Sequence, residues 1–222
     1  MIDESSSAYR VAFEALGYRR WARISPFSPN DIWYRYGNEN SDTFHVAYFG
    51  YQTRSKSYGI QLGAFNTEQL KILENALPTI TKYQRKSMAP IEFSTLLCWM
   101  LFVPNRGPYL NLLSIPDPLA RSSWPAQLQA LKDKFLEPVF WQVKTPTDIQ
   151  NLLLSNEFPY EWKVGHPVLR VAQILALAKV AGADIKDVLQ KIAFFKDVIA
   201  AKMQNSKSVD DMIHNLCSHI IR

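Results

Sequence analysis

Between residues 18 and 65, segments rich in aromatic and β-branched side chains alternate with turn residues, and this pattern limits the possible folds more than any other. The segments favour β-strands and cover residues 18–24, 31–36, 43–51 and 58–65. The gaps after the first and second segments contain the turn formers Pro, Gly, Asn, Asp and Ser. Because short turns join antiparallel neighbours, the sequence predicts a β-meander.

Helices are predicted on either side of the meander. Residues 7–16 carry an apolar stripe at helical spacing, and Gly17 is well placed to end that helix. After the meander, Asn66 with Gln69 three residues later matches a helix cap, and this second helix is expected to run to about Ala76, before Pro78.

The middle of the chain contains an apolar run and a proline-rich segment. Periodicity does not separate a buried strand from a buried helix over residues 91–103. The turn residues 104–108 and the second apolar run 109–115 favour a β-hairpin. Five of the thirteen prolines fall between residues 104 and 125, which indicates a boundary. We therefore expect an α+β lobe over residues 1–103, a connection over 104–125 and a mainly helical lobe over 126–222, with one continuous domain as the alternative.

The second half of the chain has helical patterns. Thr145, Pro146 and Asp148 are typical of a helix start. Residues 167–181 are almost wholly apolar, so this helix should lie at the centre of a core. Two amphipathic helices follow, opened by Asp184 and by Ser208. The predicted class is α+β: an antiparallel β-meander with flanking helices, followed by a mainly helical C-terminal lobe.

Composition and charge restrict the environment of the chain. The 222 residues are 47% hydrophobic, which is typical of a folded protein. The acidic, polar start lacks a secretory signal, and no apolar helix reaches the ~20 residues of a membrane span. We expect a cytoplasmic protein with no membrane partner, whose two cysteines are free thiols. The net charge of +5 arises in residues 81–222, where the lysines are spread singly along helices, whereas a nucleic-acid footprint is normally more tightly clustered.

Motifs for metals, cofactors and nucleophiles are missing from the sequence. His214, Cys217 and His219 lie close together, but on one helix the two histidines point ~140° apart, so one metal ion could not bind both. There is no Gly-x-Ser-x-Gly and no phosphate-binding glycine loop. We predict no metal and no cofactor.

One short pattern has a catalytic interpretation. Glu161 and Lys163 match half of a metal-dependent nuclease site, in which a second acid holds Mg²⁺ while the lysine positions water. Asp148 is the nearest upstream acid, but it falls in a predicted helix cap. A surface turn is therefore the favoured interpretation of Glu161 and Lys163.

The strongest candidate surface lies on the meander. Side chains alternate along a strand, so Trp21 shares a face with Arg23, and Trp33 shares a face with Arg35. Trp and Arg are enriched in binding hot spots. We predict that Trp21, Arg23, Trp33 and Arg35 form one exposed surface that binds a protein partner or the bases of a single strand. The alternative is that later helices cover this face, with the Arg stems packed on Trp rings.

A family resemblance covers residues 1–66. A helix ending in Leu16-Gly17-Tyr18-Arg19-Arg20, with Phe13 before it and Trp21-Ala22-Arg23 and residues 58–63 after it, resembles small bacterial proteins grouped with the immunity proteins of toxin systems. The resemblance implies a non-enzymatic inhibitor of a partner toxin. The helical second half and the basic charge depart from it, since inhibitors of nucleases are commonly acidic.

The sequence therefore favours a non-catalytic cytoplasmic binding protein, immunity-like in its first 66 residues, that acts on a protein partner through the meander. The alternative is a nucleic-acid-acting protein. It would be either a single-strand binder on the same face or a nuclease using Glu161 and Lys163.

Overall fold

The computed structural model describes residues 11–23, 31–52, 57–84, 95–102, 129, 132–138, 140–154, 167–193 and 207–222. The strands are β1 Arg19–Arg23, β2 Asp31–Tyr36, β3 Thr43–Gln52, β4 Ser57–Asn66 and β5 Thr95–Phe102. The α-helices are α1 (residues 11–15), α2 Thr67–Asn75, α3 Leu77–Gln84, α4 Pro146–Leu154, α5 Pro167–Ala181, α6 Ile185–Ala193 and α7 Lys207–Ile220. A π-helical turn, Lys132–Leu136, and a 3₁₀ turn, Phe140–Gln142, precede α4. The predicted α+β class is confirmed.

The strands form one antiparallel sheet in the order β1-β2-β3-β4-β5, so each strand pairs with its neighbour in sequence. The meander predicted for the first four strands is confirmed, with strand ends that agree or differ by one residue. Periodicity did not decide between a strand and a helix for the apolar run in residues 91–103. Its described part is a strand, β5, which pairs with β4 and places Leu62 opposite Cys98. The second arm of the predicted hairpin, residues 109–115, lies outside the described residues.

The predicted cap of α2 is confirmed in atomic detail. The Asn66 side chain accepts hydrogen bonds from the backbone N–H groups of Glu68, at 2.9 Å, and of Gln69, at 3.3 Å. The Gln69 side chain in turn accepts from the Asn66 N–H, which completes a capping box. The sequence did not predict α3, which begins directly after Ala76 and carries Pro78 in its first turn, where the missing N–H costs nothing.

The start of α4 is also as predicted. Thr145 Oγ1 accepts a hydrogen bond from the Asp148 N–H at 3.1 Å, and the Asp148 carboxylate accepts from the Thr145 N–H at 2.9 Å. The same carboxylate accepts from the Lys144 N–H, so it satisfies two backbone donors before the helix begins. The last helix, α7, begins at Lys207, one residue before the predicted Ser208.

Helix α5 is the hub of the helical layer, because α2, α3, α4, α6 and α7 all pack against it. Its residues 171–178 are all buried. The two basic residues that interrupt its apolar sequence bond to the ends of neighbouring helices. Arg170 Nε donates to the Leu153 carbonyl of α4 at 3.0 Å, and Lys179 Nζ donates to the Ile220 carbonyl of α7 at 2.8 Å. Both carbonyls lie at helix C-termini, where they lack intrahelical donors and the helix dipole favours a cation.

One hydrophobic core joins the sheet to these helices. Trp33, Ala47 and Leu62, from β2, β3 and β4, belong to the same buried cluster as the apolar residues of α4, α5 and α7. The cluster thus combines residues from both sides of the predicted connection at 104–125, a segment that lies outside the described residues. No helix in the described part of the chain is long and apolar enough to cross a bilayer.

The central position of α5 predicts a large effect of truncation. Leu175 is fully buried, so Leu175→Ala should lower the free energy of unfolding by about 2–5 kcal/mol, because the cavity cannot close completely. Val11→Ala provides the control, since Val11 is 65% exposed and its truncation should cost less than about 0.5 kcal/mol. Denaturant melts measure both. A loss as small for Leu175→Ala as for the control would contradict the central role of α5.

Candidate functional site

The pairing of β1 with β2 sets the two faces of the candidate surface. Arg19 lies opposite Tyr34, and directly opposed residues of antiparallel strands point to the same side. Trp21 shares this side, because its ring lies 6.4 Å from the Tyr34 ring. Trp33 lies on the other side. The register shifts between Arg20 and Ala22, so a bulge also interrupts the simple alternation along β1.

The prediction that Trp21, Arg23, Trp33 and Arg35 form one exposed surface is wrong in its geometry. Trp33 is fully buried in the core, and its ring lies 5.8 Å from that of Phe13 in α1. The strands do pair as neighbours, but the register places Trp21 on the opposite face of the sheet. The side chain of Arg23 is outside the described part of the structure. Whether Trp21 or Arg35 contacts a partner stays a prediction.

Arg35 forms a clasp between three parts of the chain. Its Nε donates to the Leu16 carbonyl at 3.0 Å, and its guanidinium carbon lies 3.9 Å from the centre of the Trp141 ring. Trp141 in turn donates its indole N–H to the Tyr18 hydroxyl at 3.4 Å. The clasp connects the end of α1 and strand β2 with the 3₁₀ turn before α4. The alternative in which later helices cover this face is correct for Trp33, which belongs to the buried cluster of α4, α5 and α7, although α1 also packs on it. Arg35 packs on a Trp ring through its guanidinium rather than its stem.

Gly17 makes the clasp possible. Its φ of +81° lies in the left-handed region that side chains disfavour, and a Cβ there would lie 3.2 Å from Arg35 Nε. The glycine that ends α1 therefore also allows the guanidinium to approach the Leu16 carbonyl.

An open cleft of about 510 Å³ lies beside this clasp. Its lining comes from the end of α1, the start of β1, and strand β2 with the turn that follows: Gly17, Arg19 and residues 34–39. Arg19 is exposed, and no described residue forms an ion pair or hydrogen bond with its side chain. The cleft therefore combines an exposed guanidinium with the rings of Tyr34 and Tyr36.

The outer aromatic face, defined as Trp21, Tyr34, Tyr36, Phe44 and Phe65, borders the cleft. Successive rings touch: the Phe65 and Phe44 centroids are 3.9 Å apart, and those of Phe44 and Tyr36 are 5.7 Å apart. Phe65 is fully buried and Phe44 nearly so, whereas Tyr36 is 47% exposed and Trp21 36% exposed. Among the large aromatic side chains that the structure describes, these two are the exposed ones. The exposed rings are thus supported by buried ones.

His45 lies on the inner face, close to the clasp. It is fully buried, its ring is 4.6 Å from Phe140, and its Nε2 is 2.8 Å from the Val143 carbonyl. Since a carbonyl only accepts, Nε2 carries the proton, and the buried Nδ1 has no hydrogen-bond partner among the described residues. Burial lowers the pKa of His45 to about 4, helped by the charges of Arg35 and Lys144 and opposed by the bond to Val143. The neutral ring holds β3 to the segment before α4.

The remaining sequence predictions involve other parts of the chain. Glu161 and Lys163 lie outside the described residues, so the nuclease pattern stays a prediction. On α7, His214 and His219 are exposed, while Cys217 packs partly against the core, and burial raises the pKa of its thiol. His219 Nδ1 donates to the Asn215 carbonyl of its own helix at 2.8 Å. Within the described ranges, no group of three or more His, Cys, Asp or Glu side chains could hold a metal ion.

Sequence reasoning missed Arg19, Tyr34 and Tyr36 as the components of the site. Their shared face depends on the register of β1 against β2, which a single sequence does not specify. Comparison of the chain with protein-family models, curated proteins and solved structures gives no match. What the chain does is therefore inferred from the side chains of the cleft.

A pair of glycine substitutions tests the clasp. Gly17→Ala and Gly182→Ala both force alanine into positive φ, at +81° and +64°, at a cost of about 1–2 kcal/mol. Of the two, only Gly17 faces a neighbour, since no described atom lies within 4 Å of a Cβ at Gly182. Gly17→Ala should therefore destabilise more than Gly182→Ala in denaturant melts. Equal losses would show that the contact with Arg35 contributes nothing.

The buried histidine predicts a pH dependence of stability. The folded pKa of His45, about 4, lies below its ordinary value of 6.5, so between these values the unfolded chain binds a proton that the folded chain does not. Stability is full above pH 6.5 and falls with pH until about 4, by about 3 kcal/mol in total. His45→Gln, which does not titrate, should lack this component.

Denaturant melts from pH 7 to pH 4 compare the two proteins. The stability curves of the wild type and His45→Gln should converge as the pH falls, and curves that stay parallel would contradict the role of His45. If His45→Gln does not fold, the pKa of His45 in the folded wild type is measured by NMR titration instead of the comparison of melts. Protonation of the folded protein well above pH 4 would then be the contradicting result.

Proposed function

We propose that this chain is a non-catalytic binding protein that engages a protein partner through the exposed edge of the outer aromatic face and the adjoining cleft. The observation that carries the proposal is the exposure of Tyr36 and Trp21 at the end of a row of buried rings. Large aromatic side chains on a rigid support bury much area at little cost in conformational entropy, and they dominate binding hot spots. Arg19 adds a donor for charge-assisted hydrogen bonds.

The support beneath this surface favours binding without rearrangement. Tyr34 and Tyr36 belong to β2, a strand paired on both sides, and Tyr36 packs against Phe44. The clasp of Arg35 holds the neighbouring end of α1 on the same strand. A partner would therefore meet a surface that is already ordered. An inhibitor of a toxin, as the resemblance of residues 1–66 implies, would be one form of this function.

A single-stranded nucleic acid is the second candidate ligand. The observation that favours it is the position of Arg19 directly opposite Tyr34, because arginine beside exposed rings also stacks and neutralises single strands. The two candidates differ in salt dependence, since contacts to several phosphates weaken steeply as salt rises.

A photo-crosslinking experiment tests the proposal. Tyr36 is replaced by p-benzoylphenylalanine in cells, and Val11, which is 65% exposed on α1, is replaced in the same way as a control. A protein that crosslinks at position 36 and not at position 11 is the partner candidate. The affinity of the purified candidate is then measured for the wild type, Tyr36→Ala and Val11→Ala.

Tyr36→Ala should weaken binding about thirtyfold, which corresponds to a hot spot of about 2 kcal/mol, because the ring would lie at the centre of the interface. Its free energy of unfolding should change by less than about 1 kcal/mol, because Tyr36 is 47% exposed in the folded chain. Val11→Ala should bind as the wild type does. Unchanged affinity in a folded Tyr36→Ala would refute the proposed surface.

A further inference from the structure

We infer that the cleft accepts an acidic side chain of the partner protein, with Arg19 as the residue that binds its carboxylate; this inference rests on the proposed function. The partner residue would be Asp or Glu with apolar neighbours, whose side chains lie on the rings of Tyr34 and Tyr36. The inference gives the proposed surface a specific chemistry that can be tested separately.

The charge of the cleft is the first step. Arg19 and Arg35 both line it, and no described carboxylate forms an ion pair with either guanidinium. Arg35 Nε donates to the Leu16 carbonyl, and the guanidinium lies against the Trp141 ring. These contacts hold the fold together, but they do not neutralise the positive charge of Arg35. Arg19 is exposed, and no described residue bonds to its guanidinium. A carboxylate bound by Arg19 would thus also experience the field of a second cation.

The acidic residues around the cleft indicate which kind of anion it takes. Glu39 lines the cleft, and Asp42 lies in the same turn. Residues 37–42 contain no basic residue, although Lys144 contacts the turn through its backbone and the charge of Asp42 acts on Lys71. A nucleic-acid strand carries a charge on every phosphate, so a strand leaving the cleft along this turn would meet two carboxylates. A single acidic side chain makes one contact with Arg19 and avoids this repulsion. The charge pattern therefore favours a protein carboxylate over a phosphate backbone.

The size of the cleft also favours a carboxylate that belongs to a protein segment. The open cleft has a volume of about 510 Å³, which is more than a small inorganic anion needs. A side chain together with its neighbouring residues fills such a space and covers the rings of Tyr34 and Tyr36. The cleft therefore suits an anion that belongs to a larger apolar segment.

Short peptides test the chemistry without the partner. The probes are acetyl-Leu-Glu-Leu-amide, its Gln counterpart and a single-stranded thymidine 12-mer, titrated into ¹⁵N-labelled protein. The Glu peptide should shift the signals of the Gly17 and Gly37 amides and of Arg19 Nε, and the Gln peptide should bind at least tenfold more weakly. Arg19→Gln should weaken the Glu peptide at least tenfold. Lys186→Gln, which removes an exposed charge on α6, should not change it.

Three results would overturn the inference. They are equal binding of the Glu and Gln peptides, an absence of shifts at the cleft, and tighter binding of the thymidine 12-mer that displaces the peptide. The third result would indicate that the cleft binds single-stranded nucleic acid instead of a protein carboxylate.

The partner captured at position 36 separates the inference from the proposed function. A partner that loses affinity at least tenfold with both Tyr36→Ala and Arg19→Gln supports both. Loss with Tyr36→Ala alone means that the surface binds but takes no carboxylate at Arg19, so the inference fails and the function stands. A partner that is indifferent to both variants refutes the function itself.

Discussion

Helix α5 has no polar face, and this constraint determines the arrangement of the other helices. A helix that is apolar around its whole circumference must be covered on every side. Five helices do so, including α2 and α4, which also contact β4 and so connect the hub to the sheet. The sheet can complete this core only by turning an apolar face towards it. Trp33, Ala47 and Leu62 supply that face.

The positive charges near this core mostly stabilise backbone carbonyls. Arg170 and Lys179 leave α5 and bond to the C-terminal carbonyls of α4 and α7, and Arg35 bonds to the carbonyl of Leu16 at the end of α1. Each cation therefore satisfies an acceptor that a helix end leaves open. Arg170 is partly buried, and this burial lowers the pKa of its guanidinium. A basic composition thus does not by itself indicate a nucleic-acid surface in this chain.

Local patterns predicted the elements, whereas contacts between elements decided the site. The strands and the caps at Asn66 and Thr145 depend on neighbouring residues, so they could be read from the sequence. Whether Trp33 lies on the same face of the sheet as Trp21 depends on the pairing of Arg19 with Tyr34. A shift of this pairing by one residue would move the side chains of one strand to the other face. The continuation of the chain into α3 was missed because Pro78 was interpreted as a stop, although proline fits the first turn of a new helix.

The separation of the two faces explains why Tyr36 and Arg19 are available for binding. The inner face of β2 uses Trp33 for the core and Arg35 for the clasp, so both are committed to stability. The opposite face is buried at Phe65 and becomes exposed near β1, where Tyr36 packs on Phe44. Among the described residues, none forms an ion pair or hydrogen bond with the side chain of Arg19. Their removal should therefore affect association more than folding. A surface of this kind can change its partner specificity by substitution at the edge while the core beneath it stays the same.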